Sequence, residues 1–76
     1  MDIDKSITNI IELIEEECKK NKVKYTWISK YKYLLKFNKD KKAIVEYLEL
    51  LKENCNYYCK NEELLKKINE IVEKIN

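Results

Sequence analysis

A chain of 76 residues has length for one hydrophobic core and a single domain over 1–76, and a core of this size contributes only on the order of 3–5 kcal/mol. Gly and Pro are both absent, which excludes the tight hairpins of all-β folds and the glycine-rich loops that cradle phosphates and dinucleotides. His is absent too, so Ser–His–Asp and Cys–His nucleophiles and most catalytic zinc sites cannot be assembled from this chain, and we expect a non-enzyme without a cofactor.

All 16 basic residues are Lys, and with abundant Ile, Asn and Tyr this is the bias of an AT-rich coding genome. The missing Arg removes the side chain that reads guanine or clamps phosphate through two parallel hydrogen bonds. No apolar run approaches the roughly 18 residues of a membrane span. The start Met1-Asp2-Ile3-Asp4 is acidic where a signal peptide is basic, and an odd number of cysteines suits reduced thiols. These features lead us to expect a cytoplasmic protein with no membrane partner.

Ile3, Ile7, Ile10, Ile11, Ile14 and Cys18 form one stripe at 3.6-residue spacing, which predicts a first helix over about 3–20. Asp2 and Asp4 suit its positive N-terminus, Glu15–Lys19 and Glu16–Lys20 are i,i+4 pairs, and Asn21 suits its end. The next stretch alternates polar and apolar residues from Lys22 to Trp27, so a strand over 22–33 competes. A helix over about 26–38 fits better, because Trp27, Ile28, Tyr31, Leu34 and Leu35 share a face and an isolated strand would lack a partner. Asp40 is the expected N-cap of a third helix, about 40–59, carrying Ala43, Ile44, Tyr47, Leu48, Leu51 and Cys55. Val45 and Leu50 widen its apolar arc, which suggests a central position. Asn61 should cap a fourth helix, about 61–75, with Glu62 and Glu63 in its first turn and Leu64, Leu65, Ile68, Ile71, Val72 and Ile75 on one face. The expected fold class is all-α, a compact bundle of three or four helices with α-helix 40–55 in the middle.

Charge is unevenly spread. Residues 19–42 hold ten Lys against one acid, Asp40, a net +9; residues 1–18 carry −5 and residues 43–76 carry −2. In the basic segment, helical geometry turns Trp27 and Tyr31 to the core and places Tyr33 and Phe37 on the opposite face, among Ser29, Lys30 and Lys36. Two aromatics one turn apart on a polar face, ringed by Lys30, Lys32 and Lys36, have the composition of a contact site.

Three readings follow. The first is a protein–protein binding module, an inhibitor or regulator such as a phage, viral or mobile-element anti-defence protein, whose partner offers an acidic or nucleic-acid-binding surface. The second is direct binding of single-stranded or structured nucleic acid by residues 19–42, where lysines attract the backbone and aromatic planes stack on bases. The third is self-assembly, a homodimer joined along Leu65, Ile68, Val72 and Ile75, whose spacing matches a coiled-coil seam. Cys55-x3-Cys59 puts two thiols on one helix face, and Cys18 would complete a soft-metal set. Free Cys more often packs as a small hydrophobe, so no metal is expected. The Glu15-Glu16-Glu17 run points to different sides of its helix and reads as a solvated surface.

Overall fold

The computed structural model describes residues 3–75 as four helices, α1 (Ile3–Lys20), α2 (Ile28–Phe37), α3 (Lys41–Tyr58) and α4 (Glu62–Ile75). The all-α class is as the periodicity predicts, and there is no strand among the described residues. Asp2, expected at the start of the first helix, lies outside them. The alternation over residues 22–27 belongs to a loop instead, in which Val23 and Trp27 are half-buried while Lys22, Lys24 and Thr26 face solvent.

The main contacts join α1 to α2, α2 to α3, α3 to α4 and α4 to α1, so the helices close a ring around one core. The expectation of a central third helix is thereby corrected. Ile44, Leu48, Leu51 and Cys55 are buried, but Leu50 is 44% exposed, so one side of the wide apolar arc meets solvent. Ile10, Ile14 and Cys18 of α1, Ile28 of α2 and Ile68 of α4 are the most deeply buried side chains of the other helices, and no polar or charged residue among those described is buried. Each Ile or Leu so buried contributes about 1.5–3 kcal/mol relative to exposure.

With no glycine available, lysines occupy the left-handed turns. Lys22 has φ 56° and Lys60 has φ 46°, a conformation costing a non-glycine residue about 1–2 kcal/mol. At the end of α1 the Val23 amide donates to the Cys18 carbonyl (2.8 Å) and the Lys22 amide to the Lys19 carbonyl (3.2 Å), the paired bonds of a Schellman turn, with Val23 and Cys18 both packed into the core. Asn61 caps α4 through Oδ1, which accepts from the Glu63 and Leu64 amides at 3.0 and 3.2 Å. Asp40 accepts from the Lys42 amide at 3.4 Å. No such cap starts α2, where Trp27 occupies the N-cap position without a side-chain bond. The helix begins at Ile28 rather than 26 because the Ile28 and Ser29 amides close single turns onto Tyr25 and Thr26.

Candidate functional site

A ring stack and a hydrogen bond, both to α3, fix the rotation of α2. The Trp27 ring stacks on Tyr58 of α3 (centroids 5.1 Å apart, 14° between planes) and meets Tyr31 edge-on at 6.1 Å. Its Nε1 donates to the Lys24 carbonyl at 2.7 Å. From α3, the Asn54 Nδ2 donates to the Tyr31 hydroxyl and to the Leu50 carbonyl (2.9 Å). Burial raises the Tyr31 phenol above its ordinary pKa, an effect that the Asn54 hydrogen bond opposes. Ile28, Tyr31 and Leu35 are buried on the same face. At about 100° per residue, Tyr33 and Phe37 are then held away from the core.

Both are largely bare. Tyr33 is 67% and Phe37 66% exposed, and their rings touch at 4.9 Å between centroids, tilted by 48°. The Lys36 ammonium stands 5.7 Å from the Phe37 centroid, within cation–π range. Lys30 lies on the same outward arc with its ammonium 5.7 Å from the Tyr31 ring. Lys32 departs from the group, pairing with Glu15 of α1. That ion pair also replaces the expected Glu15–Lys19 pair. Beside Lys32 runs a groove between α1 and α2, lined by apolar Ile7, Ile11 and Leu35 and by charges of both signs, Lys32, Lys36 and Lys39 with Asp4 and Glu12 of α1. The structure thus groups Tyr33, Phe37 and Lys36, with Lys30 nearby, and sets Lys32 to one side.

Two further tyrosines are exposed away from this face, and of them Tyr57 has no counterpart in the sequence reading. Tyr57 is 77% exposed and meets Tyr58 edge-on at 4.9 Å. Tyr25, 41% exposed, has the Lys19 ammonium 5.2 Å from its ring. Consecutive tyrosines at 57 and 58 were the available signal, since neighbours 100° apart on a helix cannot both face one core.

The four residues proposed as a dimer seam separate by burial. Ile68 and Val72 are buried in the chain's own core, and Leu65 and Ile75 are half-buried at its margin. The cysteines converge where α1 and α3 end. The sulfurs of Cys18 and Cys59 lie 2.6 Å apart, Cys55 is buried one turn before Cys59, and all three thiols are free. Desolvation first, then the neighbouring Cys59, pushes the Cys18 thiol up to about 12. Burial likewise raises Cys55 to about 11. Among the described residues no group of three or more His, Cys, Asp or Glu is arranged to hold a metal ion, and no helix is long and apolar enough to cross a membrane.

The class defined by this geometry is a small four-helix protein with a basic aromatic outer face on its shortest helix. No protein-family model matches the chain, and no curated protein or solved structure matches it. Its function is therefore argued from its own residues.

Proposed function

We propose that the chain is a small non-enzymatic binding module, an inhibitor or regulator, that docks the outer face of α2 onto an acidic surface of a protein partner. The observation that carries this reading is the Tyr33–Phe37 pair, two-thirds exposed, in mutual contact and unused by the core. Large aromatics ringed by lysines suit the centre and rim of an interface, the rings losing water and the cations meeting carboxylates. Truncating such anchors typically costs 2 kcal/mol or more of binding. The test is a pull-down with mass spectrometry from the host cell, comparing the native chain with the double variant Tyr33→Ala/Phe37→Ala. A partner retained by the first and lost by the second, with helical circular dichroism intact, supports the reading; equal capture removes α2's outer face from consideration.

Direct nucleic-acid binding is the second reading, favoured by the exposure of all ten lysines of residues 19–42. It ranks lower because base stacking needs open ring planes. Trp27, the largest ring of the basic segment, is covered by Tyr58 and Tyr31, which leaves Tyr25, Tyr33 and Phe37 as the segment's open rings. It predicts a log–log salt slope growing by about 0.7–0.9 per phosphate neutralised. Absence of binding to single-stranded oligonucleotides at low salt excludes it.

A further inference from the structure

We propose that Cys18 and Cys59 are a thiol pair that closes to a disulfide when the chain meets a low-molecular-weight disulfide such as oxidised glutathione, locking the end of α1 to the end of α3. The carrying observation is the 2.6 Å separation of the two sulfurs, a small movement away from a bond of about 2.05 Å. The two residues are 41 positions apart in sequence and are brought together only by the closing of the helix ring. This inference is independent of the α2 binding face.

Local structure supports distinct roles for the three thiols. Cys59 is the C-cap of α3 and is only half-buried, whereas Cys18 and Cys55 are completely buried. A small disulfide therefore reaches Cys59 first. The Cys55 carbonyl accepts both the Cys59 amide (2.8 Å) and the Lys60 amide (3.1 Å), and the left-handed Lys60 ends the helix there. Cys59 is thus held facing α1. Cys18 is equally held, as the residue whose carbonyl receives the Val23 amide in the Schellman turn.

The exchange balances. The Cys59 thiolate attacks one sulfur of glutathione disulfide, forming a mixed disulfide and expelling one glutathione thiolate; the Cys18 thiolate then attacks the Cys59 sulfur and expels the second. The two protons lost by the protein thiols go to the two glutathione thiolates. Two protein thiols are oxidised to one disulfide, and one glutathione disulfide is reduced to two thiols. Cys55 stays reduced.

The full chain is incubated with excess oxidised glutathione, alkylated with iodoacetamide under denaturing conditions and weighed intact before peptide mapping. The expected product has lost about 2 Da before alkylation, takes up one alkyl group where the reduced chain takes up three, and yields a Cys18–Cys59 cross-linked peptide. It melts higher than the reduced chain by on the order of 10 °C, because the bridge closes a long loop. Cys55→Ser should form the same bridge, whereas Cys18→Ser should stop at a glutathione adduct on Cys59. A chain that retains three alkylatable thiols, a bridge that includes Cys55, or an oxidised chain that melts no higher overturns the proposal. Should Cys18→Ser fail to fold, the mapping of the native chain decides alone.

Discussion

α4 and α2 use similar residue types in opposite ways. In α4 every apolar side chain serves the fold: Leu64, Ile68, Ile71 and Val72 are buried, Leu65 and Ile75 line the core's edge, Asn61 caps the start, and Glu62 and Glu63 favour its first turn. α2 has 10 residues, no side-chain cap, and two of its largest apolar residues outside. It is held by the Trp27–Tyr58 stack and the Asn54–Tyr31 bond more than by its own propensity. What the comparison teaches is that folding accounts for α4 completely and for only one side of α2. The unaccounted side is where binding is to be sought.

The contrast breaks most visibly on truncation. Ile68→Ala should cost about 2–5 kcal/mol, which approaches the whole stability of a chain this size, and urea melts should find it largely unfolded. Alkaline titration comes next. The folded-state pKa values of Cys18 and Cys55 are raised, to about 12 and about 11, above an unfolded value of 9.0. Their stabilising contribution is full below pH 9 and is lost as pH rises through 11 to 12. Denaturant melts should show that decline, and Cys55→Ala should make it shallower. Asn61→Ala should cost about 1 kcal/mol through the lost cap, with no equivalent effect available at the uncapped start of α2. Lys60→Gly should stabilise by up to about 1 kcal/mol by relieving the left-handed turn, read as a higher Tm. The smallest stability effect, within about 0.5 kcal/mol, belongs to Tyr33→Ala/Phe37→Ala.

Helical stripes made α1 and α4 legible in the sequence almost to the residue, and Asp40 and Asn61 marked two helix starts. The outward placement of Tyr33 and Phe37 also followed from spacing, because Tyr31 and Leu35 fix the opposite face. Other features depend on tertiary contact. Glu15 chooses Lys32 across the α1–α2 gap over Lys19 on its own helix, and the Cys18–Cys59 meeting needs the ring closed. Lys22 and Lys60 as left-handed residues were hidden because glycine, the usual marker of such turns, is absent. The wide arc of Val45 and Leu50 points to a central α3 in the sequence, whereas scattered exposed apolar residues such as Leu50 are ordinary on small proteins.

The outer face of α2 is free of folding duty, and binding is the use we propose for it. The most direct measurement pairs a thermal melt of Tyr33→Ala/Phe37→Ala with quantitative capture of the host-cell partner by the same variant. The account predicts an unchanged melt and capture reduced at least tenfold; a destabilised variant, or one that melts normally and still captures the partner, contradicts it.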